Sequence, residues 1–119
     1  MIEQKRILAT SIPGPASQAL QERKVAAVSS GVSTGLPVYV VEASGGIVRD
    51  ADGNQLIDFG SGIAVTSVGN GNQRVVDAVT EQIRRFTHTC FMVTPYDLYV
   101  EVCEKLNELT PGEHEKRSA

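Results

Sequence analysis

Apolar residues recur at helical spacing in two stretches of the second half of this 119-residue chain. Residues 72–86 and 96–109 each place apolar side chains three or four positions apart, at Val75, Val76, Val79, Ile83 and Phe86, and at Leu98, Tyr99, Val102, Leu106 and Leu109. Such spacing gathers the apolar side chains on one face, so each stretch predicts an amphipathic helix. Helix-forming residues at 16–28 predict an earlier helix. In the last helix, Glu101 and Lys105 are spaced for an i,i+4 ion pair.

Three short runs between the first two helices predict a small β-meander. Residues 38–41 are β-branched and aromatic and are followed by Ser-Gly-Gly at 44–46, which predicts the first strand and its end. Residues 47–49 and 56–59 flank residues 50–54, which contain an Asp-Gly pair. Because Asp-Gly readily supplies the positive φ of a hairpin turn, the second and third strands are expected to pair antiparallel.

The same turn places three oxygen-bearing side chains at alternate positions, as a calcium loop does. Asp50, Asp52 and Asn54 occupy positions one, three and five of an EF-hand-like loop. However, Gln55 stands where the sharp turn needs Gly, and Ser61 stands where a bidentate Glu closes the cage. The hairpin turn is therefore the favoured interpretation, and no metal site is assigned.

Residues 60–69 combine glycines with apolar side chains and fit neither a regular element nor a solvated loop. Two interpretations stay open: the backbone packs closely against another segment, or residues 62–65 line a ligand cavity. The glycines here complete neither G-x-G-x-x-G nor G-x-x-x-x-G-K-[ST], so no nucleotide-binding loop is predicted.

Composition and charge exclude several classes of function. The chain is 41% hydrophobic and 21% charged, which is typical of a folded protein, and its net charge of -3 argues against binding to nucleic acid or to an anionic membrane. The longest apolar runs, such as residues 37–41, are far shorter than the roughly 20 residues of a membrane-spanning helix. Residues 1–6 mix one acid with two bases and lead into no apolar signal core, so a cytoplasmic location is expected.

The two ends of the chain lack hydrophobic periodicity. Residues 1–15 contain proline and glycine and predict a flexible N-terminal arm, whereas residues 113–119 form a charged tail that is expected to be truncated. The folded segment is expected at residues 16–112.

The reactive side chains suggest no independent catalytic site. Cys90 and Cys103 are thirteen positions apart and form no C-x-x-C, so reduced thiols that serve as packing residues are expected, and whether they touch stays open. His88 and Cys90 lack the paired ligands of a zinc site and the fixed geometry of a catalytic dyad. None of the lysines is expected to be a desolvated nucleophile: Lys5, Lys24, Lys105 and Lys116.

The order of these motifs resembles a known family. Residues 48–65, 75–79 and 87–91 together resemble the N-terminal segment of class III aminotransferases, which depend on pyridoxal phosphate. The stretch His-Thr-Cys-Phe at 88–91 is similar to the branch that acts on 4-aminobutyrate. The resemblance implies an α/β segment of a fold-type-I transferase, incomplete as an independent domain: a helix, a small antiparallel β-meander and then two helices.

For the full-length enzyme, the resemblance implies a homodimer that uses pyridoxal 5'-phosphate to transfer an amino group from 4-aminobutyrate to 2-oxoglutarate. The family's Schiff-base lysine, its aspartate partner for the pyridine nitrogen and its phosphate-binding motif have no counterpart in this sequence. The chain alone is therefore expected to be inactive and to bind no cofactor, and no catalytic, cofactor-binding or metal-binding residue is assigned. An ornithine-type class III enzyme and a noncatalytic interaction module are the alternatives.

Two residues carry over as substrate-binding positions. Ile63 matches an isoleucine that the family places over the substrate, and Met92 stands where related enzymes carry a glutamine that faces the substrate. Methionine there would provide an apolar wall instead of a polar contact. Residues 69–73 lack the histidines and proline that many relatives have, so side-chain contacts of that loop are not transferred.

Overall fold

The computed structural model describes residues 2–119 and divides into two units, one ending at Ala78 and one spanning Val79–Ala119. Four helices and three strands follow one another along the chain: α1 (Pro15–Ala27), β1 (Val40–Ser44), β2 (Ile47–Asp50), β3 (Gln55–Ile57), α2 (Ser61–Ala64), α3 (Gln73–Arg85) and α4 (Asp97–Leu109). The boundary between the two units falls within α3.

The three long helices confirm the sequence predictions, which rested on helix-forming residues for α1 and on helical periodicity for α3 and α4, since their ends lie within one residue of the predicted bounds. At the start of α3, Asn72 Oδ1 accepts a hydrogen bond from the Arg74 N–H at 3.1 Å, which satisfies a donor that the helix leaves free. The predicted ion pair in α4 is wrong: Lys105 Nζ lies 2.6 Å from Glu108 Oε2. Residues three apart also share a helix face, so Glu108 competes with the residue four positions before the lysine.

The strands form one antiparallel sheet in the order β1-β2-β3. The hairpin between β2 and β3 confirms the sequence prediction, and Val48 pairs with Leu56 across it. β1 begins two residues later than expected and continues to Ser44, with a register shift between Val40 and Glu42. Pairing with β2 therefore decides where β1 lies, because strand propensity depends strongly on the neighbouring strand.

The turn between β2 and β3 is the most buried polar part of the first unit. Asp50 is 2% exposed and Asn54 is fully buried. One carboxylate oxygen of Asp50 accepts the Asn54 N–H at 2.7 Å, and the other accepts the Asn54 side-chain amide at 2.8 Å. Gly53 takes the positive φ of 86° that the sequence predicted for this turn. Asp50 and Asn54 therefore close the turn with side-chain hydrogen bonds.

The N-terminal segment is attached to this turn and to the sheet. Asn54 Oδ1 accepts the N–H groups of Ala9 and Thr10 at 2.8 and 2.9 Å. Ile7 exchanges two backbone hydrogen bonds with Gln55, at 3.0 and 2.8 Å. The prediction of a separate flexible arm at residues 1–15 did not foresee these contacts, because they join positions more than forty residues apart.

Asp52, at the tip of the same turn, holds the beginning of α1. Its two carboxylate oxygens accept the N–H groups of Ala16 and Ser17 at 2.6 and 2.9 Å. Partial desolvation raises the pKa of the Asp52 carboxyl, but hydrogen bonding to Ser17 and Ala16 outweighs it and holds that pKa below its ordinary value. The carboxylate also lies where the helix dipole favours negative charge.

Few apolar side chains are buried in the described part of the chain. There, Ile2 and Ile47 are the buried hydrophobic residues, at 5% and 4% exposure. Neither α3 nor α4 contains a buried residue, and apolar side chains on both helices are about half exposed. Across residues 2–119, no helix combines the length and the apolar character needed to cross a bilayer.

We expect Asn54→Ala to destabilise the first unit by about 2–3 kcal/mol, because it leaves buried partners of the amide without hydrogen bonds. Urea unfolding followed by circular dichroism measures the free-energy change, and amide hydrogen exchange at Ala9 and Thr10 reports release of the N-terminal segment. The control is Asn107→Ala on α4, which removes one hydrogen bond with Ser118 and should change stability by no more than about 0.5 kcal/mol. Equal losses in the two variants would contradict the role given to Asn54.

The lowered pKa of Asp52 predicts an acid-dependent loss of stability. A carboxyl whose folded pKa lies below its ordinary value of 3.8 stabilises the folded state above that pH. That contribution is lost as the pH falls through the folded pKa. Urea unfolding of the wild type and of Asp52→Asn, compared from about pH 5 to about pH 2, should show the advantage of the wild type shrinking with acid. Parallel curves would mean that Asp52 contributes no such linkage.

Candidate functional site

The segment after β3 contains Ile63 and begins with a carboxylate that binds backbone N–H groups. Asp58 Oδ1 accepts the N–H groups of Gly60 and Ser61 at 3.0 and 2.8 Å. The Asp58 N–H in turn donates to the Gly46 carbonyl at 2.9 Å, which ties the start of the segment to the sheet. The backbone therefore enters α2 from a fixed position.

The four residues of α2 form a turn of left-handed backbone conformation. Their φ angles are all positive: 47° at Ser61, 60° at Gly62, 61° at Ile63 and 64° at Ala64. Three of the four carry a Cβ, and for such residues the left-handed region costs roughly 1–2 kcal/mol each. A β-branched residue such as Ile63 is the least suited to it. The glycines and apolar residues of this segment predict an irregular backbone but not its handedness.

Hydrogen bonds close the left-handed turn from both sides. The hydroxyl oxygens of Ser61 and Thr66 lie 2.7 Å apart, and the Ser61 carbonyl accepts the Val65 and Thr66 N–H groups at 2.8 and 3.1 Å. Ser61 and Thr66 are half-buried, whereas Ile63 is 95% exposed. The turn therefore presents the Ile63 side chain without packing it inside the first unit.

The far end of the same segment packs its backbone closely, which was one of the two interpretations that the sequence left open. Gly45 and Asn70 exchange backbone hydrogen bonds at 2.8 and 2.9 Å. A Cβ built on Gly69 would lie 3.2 Å from the Gly45 Cα, so a larger residue at position 69 would push the two backbone segments apart. The segment is thus held to the turn between β1 and β2 at one end and to Asp58 at the other.

Met92, the second predicted substrate-binding residue, belongs to the other unit and lies in the loop between α3 and α4. The Cys90 carbonyl accepts the N–H groups of Val93 and Thr94 at 2.9 and 2.8 Å, and Thr89 Oγ1 donates to the Thr94 carbonyl at 3.0 Å. These bonds make a tight turn with Met92 inside it, and the Met92 side chain is 92% exposed. Both predicted residues are therefore presented on tightly bonded turns.

Four aromatic rings, of Phe86, Phe91, Tyr96 and Tyr99, form a cluster at this loop that the sequence did not predict. Phe91 lies 4.3 Å from Tyr99 and 5.4 Å from Tyr96 between ring centroids, and Phe86 lies 5.7 Å from Tyr96. Rings at such distances and tilted or edge-to-face angles attract one another beyond simple burial. The signal in the sequence was their spacing, since Phe86 and Tyr96 adjoin the helix ends that flank the loop, Phe91 lies within the loop and Tyr99 lies in the first turn of α4.

The two cysteines differ in their surroundings. Cys103 is half-buried on α4, but Cys90 is exposed, so the prediction that Cys90 is a packing residue is wrong. The turn uses the backbone carbonyl of Cys90 and leaves its side chain outside. Both thiols are free, and within residues 2–119 no cluster of three or more His, Cys, Asp or Glu side chains could hold a metal ion.

Three of the described lysines lie against oxygen acceptors. Lys5 pairs with Glu3 at 2.8 Å, and Lys105 pairs with Glu108. Lys24 Nζ donates to the Val32 carbonyl at 2.8 Å. Schiff-base lysines normally lie in a desolvated or electropositive setting, whereas each of these three ammonium groups lies against an oxygen acceptor. Lys5, Lys24 and Lys105 therefore lack the surroundings typical of a Schiff-base lysine.

Comparison with known proteins shows which family this chain belongs to. Residues 28–118 match the family described as aminotransferase class-III, which is more than half of the chain. The chain belongs to the class-III aminotransferases. It is 65% identical over 117 residues to "4-aminobutyrate aminotransferase" of Mycobacterium tuberculosis, covering 98% of this chain and 26% of that protein. It is 45% identical over 102 residues to "5-aminovalerate aminotransferase" of Pseudomonas putida, covering 86% and 24%.

The fold agrees with this membership. The structure of acetylornithine aminotransferase from Elizabethkingia anophelis superposes with a TM-score of 0.70 at 22% identity, covering 81% of this chain and 24% of that one. The expected fold class, a segment of a fold-type-I aminotransferase with a helix, a small antiparallel sheet and further helices, is confirmed. The chain spans about a quarter of the length of the curated relatives that it matches.

The left-handed turn predicts that Ile63→Gly stabilises the isolated chain by about 1 kcal/mol, because glycine adopts positive φ without a Cβ clash. Little packing is lost, since the side chain is 95% exposed. Urea unfolding measures the change. The matched control is Val65→Gly, at a φ of -88°, where glycine should instead cost about 0.5–1 kcal/mol. A loss of stability in Ile63→Gly as large as that in Val65→Gly would show that the turn is not strained.

Proposed function

We propose that this chain is the N-terminal segment of an enzyme that transfers the amino group of 4-aminobutyrate to 2-oxoglutarate. The observation that carries the proposal is the 65% identity to the mycobacterial 4-aminobutyrate aminotransferase, which extends over nearly the whole chain. Its partners are then a small amino acid and a 2-oxo acid. The cytoplasmic location and the division into an arm, a folded segment at 16–112 and a charged tail stay predictions from the sequence.

The exposed apolar faces support a role inside a larger assembly. On α3, Val75, Val79 and Ile83 are each at least half exposed, and on α4 Val102 is 58% exposed. Apolar faces of this extent normally lie against protein. In the proposed enzyme, the remaining three quarters of the polypeptide and the second subunit of a homodimer cover these faces.

In this proposal Ile63 and Met92 are each substrate-binding residues of the full-length enzyme. The substrate carries an amine and a carboxylate joined by three methylene groups, so apolar side chains contact its middle and exclude water there. Each side chain is almost fully exposed within its own unit, which leaves it free for such a contact. Neither residue moves a proton or forms a bond, and both act by binding and orienting the donor.

Pyridoxal phosphate, when bound to the full-length enzyme, supplies the electron sink for amino transfer. The lysine, the acidic partner of the ring and the phosphate-binding groups belong to the part of the enzyme beyond this segment. The proposed contribution of this chain is therefore substrate contact and subunit surface, and the chain alone is expected to be inactive and free of cofactor.

A second candidate is an enzyme for a longer ω-amino acid. The 45% identity to a 5-aminovalerate aminotransferase favours it, and ornithine is the related alternative that the sequence left open. One methylene group in an apolar pocket changes selectivity by about 10–200-fold, so the donors are separable by kinetics.

The full-length enzyme, purified with pyridoxal phosphate, should form glutamate from 2-oxoglutarate and 4-aminobutyrate, with a kcat/KM at least about tenfold above that for 5-aminovalerate or ornithine. Glutamate is quantified by chromatography. The 119-residue chain, assayed in parallel, should form none and should leave the absorption spectrum of added pyridoxal phosphate unchanged. A preference for ornithine or 5-aminovalerate would select the second candidate, and no transfer from any ω-amino acid would favour a noncatalytic interaction module.

A further inference from the structure

We propose that Asp58, Ser61 and Thr66 are positioning residues, which hold the Ile63 side chain in the orientation that binds the amino donor. The inference rests on the proposed function, because it deepens the role given there to Ile63. It gives three polar side chains a role that the sequence did not predict.

The side chain of Ile63 does not suit the backbone conformation at that position. At φ 61° and ψ 62°, glycine would be the residue of least strain, and a β-branched side chain is an outlier. The side chain is 95% exposed, so contacts inside the unit do not offset that strain. Strained positions persist only when their surroundings fix them, and they cluster at binding and catalytic sites. The turn is therefore organised around presenting this side chain.

Side-chain hydrogen bonds of Asp58, Ser61 and Thr66 fix this turn. Asp58 Oδ1 binds the Gly60 and Ser61 N–H groups at the entrance, at 3.0 and 2.8 Å. The Ser61 and Thr66 hydroxyls, 2.7 Å apart, join the entrance to the exit. Both hydroxyl residues are half-buried, whereas the residue that they bracket is exposed. Without these contacts the backbone is free to relax to negative φ, which would turn the Ile63 side chain away from its present direction.

Removing these contacts should weaken the binding of the amino donor to the enzyme without slowing the chemical step. Ile63 contacts the donor in the same way before and during the reaction, so weakening that contact raises KM and leaves kcat nearly unchanged. Each hydroxyl acts through Ile63 and touches neither donor nor cofactor. The effect of removing a hydroxyl should therefore disappear once the Ile63 side chain is shortened.

The test uses the full-length enzyme and a double-mutant cycle between Thr66 and Ile63. Thr66→Val should raise the KM for 4-aminobutyrate roughly threefold to tenfold, with kcat changed by less than about twofold. Thr66→Ser keeps the hydroxyl and should restore the wild-type KM. The matched control is Thr34→Val, at an exposed threonine whose hydroxyl oxygen accepts a hydrogen bond from the Lys24 ammonium at 3.3 Å, and it should leave KM unchanged. Added to Ile63→Ala, Thr66→Val should raise KM no further.

Ser61→Ala is the second variant and keeps the proposal testable if Thr66→Val folds poorly. It should match Thr66→Val in KM, and combining the two should add nothing, because each removes the same hydrogen bond. An unchanged KM in both variants would overturn the proposal. So would an undiminished rise in KM when either is added to Ile63→Ala, or a loss of melting temperature and kcat at constant KM.

Failure of the proposed function gives a different result. If the wild-type enzyme transfers no amino group from 4-aminobutyrate but uses another ω-amino acid, the substrate assignment fails and the same cycle is run with that donor. The positioning role then stands or falls on the coupling between Thr66 and Ile63. If the enzyme accepts no amino donor, both proposals are overturned.

Discussion

The first unit depends on a polar turn where a small domain would usually have an apolar core. Asp50 and Asn54 are almost fully buried, and their side chains satisfy one another and the backbone around them. Burying such groups is unfavourable unless each finds its partners, and a fully satisfied network in a low dielectric specifies one arrangement. From this turn, Asn54 holds the N-terminal segment and Asp52 holds the beginning of α1. Three separate parts of the unit therefore meet in five residues of one hairpin.

The regular elements could be predicted because local sequence decides them. Helix-forming residues placed α1, and helical periodicity placed α3 and α4, each within one residue of its ends, and the Asp-Gly pair placed the hairpin of β2 and β3. The register of β1 could not be predicted in the same way, because its pairing with β2 extends the strand beyond its β-branched residues. Local propensity contains no information about a partner strand.

Contacts over long separations explain most of what sequence analysis missed. The N-terminal segment has no periodicity of its own, and its order comes from hydrogen bonds to Asn54 and Gln55. The turn residues carried a visible signal, since alternate Asp and Asn side chains suggested a metal loop that was set aside. The side-chain oxygens of Asp52 and Asn54 instead accept hydrogen bonds from backbone N–H groups.

The candidate site was predicted by resemblance, and its physical character was not. Neither propensity nor spacing explains why isoleucine occupies position 63, where φ is positive, because glycine adopts that backbone conformation with the least strain. Selection for stability alone would favour the residue that relieves strain, so a strained side chain that is 95% exposed indicates another requirement. Contact with a substrate is such a requirement, since it acts only on the complete site. The backbone strain in the turn and the proposed binding role of Ile63 then have the same cause, which is the direction in which the Ile63 side chain is held.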